Sequence, residues 1–246
     1  MDRNGRGRIV RREVLRGFTG CAAGIMVAEL APAEAGEARE GRLAPYPQGS
    51  GLRTETPKPL PYAEIPGFLS TAQLTPHHTA HYGGALKALL NDEQQLSKAL
   101  QAEGPVASPA HSFLVKDRIN RANSVVLHEL YFDNMTAAPA GPREDVRTAL
   151  ARRFGSLERW ADDFRAASMA ANGWGILARD AVNGQLYNVA SDLHEVGVLW
   201  FGQPLVVCDV YEHAYYVDYQ NQKADYVAKF LEHLDWAEVN RRFAAV

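Results

Sequence analysis

Eight histidines are spread along this 246-residue chain. Five of them, His77, His78, His81, His128 and His213, stand at the faces or ends of apolar stretches with carboxylates nearby. The densest case is Asp209-Val210-Tyr211-Glu212-His213-Ala214-Tyr215-Tyr216, which sets a carboxylate and an imidazole four residues apart directly after an apolar run. Carboxylate oxygen together with several imidazole nitrogens suits a first-row metal that must change oxidation state, and flanking aromatics would wall such an ion off from bulk water. A lone histidine is ordinarily a surface or satisfied core residue; this cluster is not read that way.

Two stretches must position those groups from the N-terminal side. From about 70 to 95, Leu74, His77, His78, His81, Leu86, Leu89 and Leu90 recur at three- and four-residue steps, which predicts a helix. A second helix is expected from Lys116 to Met135, with Ile119, Val126, Leu127, Leu130 and Tyr131 on its apolar face. Pro139, Gly141 and Pro142 punctuate the chain after it. Helices are then expected over 143–153 and 156–170, separated by Gly155 with Ser156 as N-cap. Trp174–Ala178 and Gln185–Ala190 read as strands around Val182-Asn183-Gly184, and Leu205–Asp209 as a third. Helices return at Asp225–Glu232 and Trp236–Phe243. The fold class is therefore α+β: an N-terminal α-helical hairpin over 58–140, then an α/β subdomain over 141–246 with a small three-stranded antiparallel sheet.

The first 57 residues look different. Residues 1–35 read as an export signal, with Arg11-Arg12 ahead of Val14-Leu15-Arg16, a mildly apolar run from Gly17 to Leu30, and small-x-small sites at Ala31-Pro32-Ala33 and Ala33-Glu34-Ala35. This resembles a twin-arginine leader, which sends folded proteins to the bacterial periplasm. Residues 36–57, rich in Gly, Pro, Glu and Arg, read as a linker or arm. Without residues 1–35 the chain holds 20 basic and 25 acidic residues. That balance argues against a nucleic-acid partner, which needs clustered Lys and Arg. No apolar run reaches the roughly 18 residues of a membrane span. Cys21 falls in the leader, so Cys208 alone cannot form a disulfide framework.

The motifs in chain order resemble the iron/manganese superoxide dismutase family. Asp209–Tyr216 looks like its signature, whose usual form has Trp where Tyr211 stands. Pro59-Leu60-Pro61-Tyr62 resembles the family's opening, His77-His78-x-x-His81 its first ligand helix, and Leu127-His128-Glu129-Leu130-Tyr131-Phe132 the second. Asn172-Gly173-Trp174 matches the turn before the sheet, while Tyr219-Gln220-Asn221 and Asp225-Tyr226 match the closing segment. The resemblance implies one iron or manganese ion per chain, held by His77, His128, Asp209 and His213 with a solvent molecule, and superoxide as substrate. His78 is the alternative first ligand; spacing from Leu69-Ser70 and the four-residue step to His81 favour His77.

Further roles follow from the same resemblance. His194 takes the place of the residue that hydrogen-bonds the metal-bound solvent, often Gln. Trp174 and Tyr211 would wall the pocket. Glu212 would reach a partner's metal-binding His, and Tyr216 would pair with the partner's His81, implying a homodimer or tetramer. Three departures stand out. The family's gateway tyrosine is replaced by Ala85 (Gly84 under a shifted alignment), with Tyr82 nearby but one turn away. Tyr211 replaces Trp, and Lys223 replaces the usual Arg while keeping a positive charge that steers an anion. A zinc protease is excluded, because the second His that follows His-Glu at four residues is Phe132 here. The remaining alternative is a dismutase-like metal-binding or structural dimer with little activity.

Overall fold

The computed structural model describes residues 49–197 and 199–245. The expected export signal and most of the expected arm lie outside them. The end of the arm, from 49 on, forms a single helical turn, α1 (Gly51–Thr54), capped by the Ser50 hydroxyl.

Ser70 caps α2 (Thr71–Pro76), and the helix expected to run on unbroken passes into a π-helical turn, His77–Tyr82, before resuming as α3 (Gly83–Gln101). A π-turn inserts extra backbone into the helical repeat and is typically found at functional sites. The second long helix, α4 (Pro109–Asp133), starts seven residues earlier than Lys116. The Ser108 hydroxyl accepts from the His111 amide and Pro109 occupies the first helical position, a paired start signal. Ile119, assigned to its apolar face, is instead 49% exposed, since only the C-terminal half of α4 packs on both sides.

The C-terminal half follows the sequence closely. α5 (Glu144–Phe154) carries acids in its first turn and arginines in its last, which suits the helix dipole, and ends at Gly155 with φ 98°. Ser156 caps α6 (Leu157–Ala170) as expected. Strands β1 (Trp174–Asp180), β2 (Leu186–Ser191) and β3 (Gly202–Asp209) form one antiparallel sheet in the order β2-β1-β3. β3 begins before Pro204 rather than after it: the register slips between Leu177 and Ala178, and the bulge accommodates a proline that cannot donate to the ladder. After a short 3₁₀ turn (Glu212–Ala214) come α7 (Tyr216–Tyr219), α8 (Lys223–Glu232) and α9 (Trp236–Ala244).

One core runs from Ile65 to Val239, filled by Tyr131 and Phe132 of α4, Trp160 and Phe164 of α6, Leu205–Cys208 of β3, and Tyr226 and Phe230 of α8. Among the described residues no helix is long and apolar enough to cross a membrane.

Candidate metal centre

The sheet aims one of its ends at the site. Trp174, the first residue of β1, pairs with Ser191 at the end of β2 and with Asp209 at the end of β3. Gly173 precedes it in a place where a Cβ would fall 2.9 Å from the Ser191 carbonyl and 3.0 Å from the Tyr211 ring, so only glycine lets the chain pass. Beyond Asp209 the 3₁₀ turn folds the chain back and returns His213 over the carboxylate.

Four side chains converge there. The Nε2 atoms of His77, His213 and His128 lie 3.1, 3.3 and 3.6 Å from one oxygen, Asp209 Oδ2. One ligand atom from each of the four lies within 4.8 Å of all the others. His77, His128 and Asp209 are buried, and His213 is partly open. The second carboxylate oxygen, Oδ1, is occupied by the Tyr211 amide at 3.0 Å, which leaves Oδ2 facing the histidines. His128 Nδ1 donates to the Ser124 carbonyl at 2.7 Å, one helical turn back, so its Nε2 carries the lone pair. The buried Nε2 atoms of His128 and His213 have no hydrogen-bond partner. Three imidazole nitrogens and one carboxylate oxygen around a common point, two of them otherwise orphaned, fit a first-row metal ion.

Electrostatics agree. Burial alone would raise the Asp209 pKa, yet the adjoining His213 and His77 rings hold it far below the usual carboxylate range. Burial, then the neighbouring His77, lower His128 to about 3; burial also lowers His77, and lowers His81 to about 4. An unfolded histidine, at 6.5, takes up its proton first. The unfolded chain therefore binds more protons as pH falls from 6.5 toward about 3, and these rings contribute stability that is full above 6.5 and lost on acidification. In urea titrations of the metal-free protein we expect a constant midpoint above about pH 7 and a steady decline below it. A midpoint that rises with acid would contradict this environment.

The remaining predicted residues divide between the site and its surroundings. His81 sits at the solvent edge and stacks on His213, centroids 3.9 Å apart and planes within 10°. Tyr211 also stacks on His213, at 5.3 Å, and Trp174 meets His128 edge-on at 5.2 Å. Trp174 Nε1 donates to His194 Nδ1 at 3.0 Å, which leaves His194 Nε2 carrying its proton. That ring lies 6.3 Å from His128 and 5.4 Å from Tyr211, within the wall. His78 turns away and bonds the Lys58 carbonyl at 2.7 Å. Tyr82 turns away too, its hydroxyl donating to Glu129. Ala85 is buried in the core. The Lys223 ammonium docks on the Ala171 carbonyl at 2.6 Å, just past the end of α6. Glu212 and Tyr216 are exposed.

Two residues take positioning roles that the sequence does not assign them. Buried Gln73 donates to the His213 carbonyl at 2.6 Å and accepts from the Val217 amide at 2.9 Å, locking the turn that carries His213. Its place three residues after the Ser70 cap is a capping-box spacing, and that was the available signal. The Tyr226 hydroxyl donates to the Asp209 carbonyl at 2.7 Å.

Fold and site together define an α+β protein whose buried cluster of three histidines and one aspartate could hold a single metal ion. The family described as iron/manganese superoxide dismutases, C-terminal domain, matches residues 142–242. A manganese superoxide dismutase of Haloferax volcanii is 34% identical over 190 residues, covering 76% of this chain and 93% of that protein. An iron superoxide dismutase of Aquifex pyrophilus is 36% identical over 180 residues, covering 71% of this chain and 84% of that protein. The chain belongs to the iron/manganese superoxide dismutase family.

Proposed function

We propose that this chain is a superoxide dismutase, converting superoxide to oxygen and hydrogen peroxide with one iron or manganese ion held by His77, His128, Asp209 and His213. The observation that carries the reading is the convergence of three Nε2 atoms on Asp209 Oδ2 in a pocket closed by Trp174, Tyr211 and His194. When bound, the ion supplies the reversible one-electron change that this chemistry requires. The chain's own groups do the rest. Ser124 and the Tyr211 amide hold a ligand ring and the carboxylate in orientation. Trp174 occupies His194 Nδ1, so that the ring's Nε2 carries the proton and can act as a donor. Two protons must reach the product peroxide for each pair of superoxide ions consumed, and we assign that relay to His194, whose ring lies 6.3 Å from His128 and 5.4 Å from Tyr211.

Ala85 favours a second reading, a family member that binds metal but turns over slowly. No hydroxyl stands at that position, and the nearby Tyr82 hydroxyl is committed to Glu129 and to the Lys58 amide. Superoxide decay followed by stopped flow on the iron- or manganese-loaded protein separates the two. We expect decay well above that of the same concentration of free ion; a rate no better than free ion selects the second reading.

We also propose a dimer or tetramer and an exported location. Exposed Glu212, Tyr216 and Val217 lie on the segment next to His213, with His81 at the same mouth, which supports a partner surface there. A sedimentation mass equal to one chain would oppose it. Export rests on Arg11-Arg12 and the small-x-small sites. Fractionation of a bacterial host should find the chain in the periplasm and the Arg11→Lys, Arg12→Lys variant inside the cell. Cytoplasmic retention of the unaltered chain would rule this out.

A further inference from the structure

A buried carboxylate follows His128 directly. Glu129 is 1% exposed, and its Oε1 accepts from the Tyr82 hydroxyl and from the Gly51 amide, both at 2.8 Å. The Tyr82 oxygen in turn accepts from the Lys58 amide at 2.7 Å, and the carbonyl of the same Lys58 accepts from His78 Nε2 at 2.7 Å. The Lys58 ammonium closes the set on Asp133, one helical turn past Glu129, at 2.7 Å. Residues 50–58 thus form a strap fastened to both metal-facing elements. On the π-turn it is held through His78, beside His77; on α4 it is held through Glu129, beside His128. The fit is close: a Cβ on Gly51 would fall 2.8 Å from Leu86 Cδ2 and 3.0 Å from the Tyr82 hydroxyl.

Burying a carboxylate is a poor way to hold two helices together, since an apolar side chain of that volume packs with no charge to desolvate. What the carboxylate adds is direction. Two donors arriving at one oxygen, one from the strap and one from the π-turn, fix how α4 and the π-turn are rotated against each other. Metal–ligand distances must hold within about 0.2 Å, so a small helix rotation at this range is felt at the ion. We infer that Glu129, acting through Tyr82 and Gly51, is a positioning residue for the metal centre, and that the strap sets the spacing of His77 and His128. The inference rests on the ligand assignment proposed above.

The test compares Glu129→Leu, Tyr82→Phe and Glu129→Gln with the unaltered full chain, each checked for folding by far-ultraviolet circular dichroism. Manganese(II) affinity of the metal-free protein is measured by calorimetry, and the electron paramagnetic resonance spectrum of the manganese(II) form is recorded. Glu129→Leu and Tyr82→Phe are expected to lose on the order of tenfold or more in affinity, as outer partners of metal ligands do, and to show altered zero-field splitting. Glu129→Gln, which keeps an acceptor oxygen for both donors, should restore affinity and spectrum. Folded Leu and Phe variants with unaltered affinity and spectrum would overturn the inference and reduce the strap to a structural anchor. Should Glu129→Leu fail to fold, Tyr82→Phe decides alone. A full-length chain that binds no manganese would instead refute the ligand assignment, which keeps the two failures apart.

Discussion

Asp209→Ala will abolish tight binding of iron and manganese while leaving the chain folded. Asp209 Oδ2 is the atom on which three imidazoles converge, at 3.1, 3.3 and 3.6 Å, and no other carboxylate belongs to the group. Its loss leaves three imidazole rings facing one another without the charge that balances a cation. The affinity should fall by far more than the roughly 100-fold that removing an outer partner costs, because a direct ligand is lost. Asp209→Asn separates charge from geometry. The amide keeps an oxygen near the rings but carries no negative charge, and should bind more weakly than Asp and better than Ala. Folding is expected to survive, since Asp209 is the last ladder residue of β3 and its backbone carbonyl remains bonded to Tyr226. Metal analysis after exhaustive dialysis, with circular dichroism as control, reads both effects. Full metal occupancy in Asp209→Ala would place the binding site elsewhere, and superoxide decay by that variant above the free-ion rate would do the same.

How much of this was legible in the sequence depends on how local the cause was. Asp209 and His213 belong to one strand end and the turn after it, so their spacing alone foretold a shared site. Gly155 with Ser156 marked the break between α5 and α6, because a left-handed glycine and a side-chain cap act within a turn of their own position. The start of α4 was missed although Ser108-Pro109 is a start signal. The apolar residues there, Phe113 and Val115, are exposed and belong to no buried helical face. The π-turn was illegible for a different reason. One extra residue in a helical repeat leaves the residue types unchanged, and His77 and His81 still stand four apart. Gln73, Glu129 and Arg242 were missed because their partners lie 140, 78 and 108 residues away, and a polar residue in a helix looks like a solvated one until the fold brings its partner. Glu129 stands in the sequence as part of the second ligand-helix motif and as half of a zinc motif that Phe132 excludes, and neither gives it a positioning role. The Lys223 ammonium, expected to steer an anion, keeps its charge while donating to the Ala171 carbonyl, 52 residues away, a contact that spacing does not show.

Arg242→Ala is expected to cost about 3–5 kcal/mol of stability and lower the melting temperature by roughly 10 °C. The guanidinium is fully buried and spends its donors on four acceptors: Asn134 Oδ1 at 2.9 Å, the Leu205 carbonyl at 3.1 Å, the Leu130 carbonyl at 3.0 Å and Glu238 Oε1 at 2.8 Å. Leu130 lies two residues after His128 on α4, and Leu205 four before Asp209 on β3, so one side chain of α9 ties together the two elements that present those ligands. Asn134 Oδ1 also accepts from the Val207 amide, extending the same network along β3. Alanine would leave the two carbonyls and part of the Glu238 carboxylate buried and short of donors, and that desolvation, more than the lost attraction, sets the cost. Arg242→Lys should recover only a fraction, since an ammonium cannot span the planar fork of acceptors. Thermal and urea unfolding of the metal-free protein measure the loss; a variant within about 1 kcal/mol of the unaltered chain would mean that relaxation or water replaces the guanidinium. Saturating manganese then asks a further question. An ion that binds only the folded state raises stability by an increment set by its affinity, so equal increments in both proteins mean that Arg242 supports the fold alone. A smaller increment in Arg242→Ala would show that the same guanidinium also holds His128 and Asp209 at their working separation.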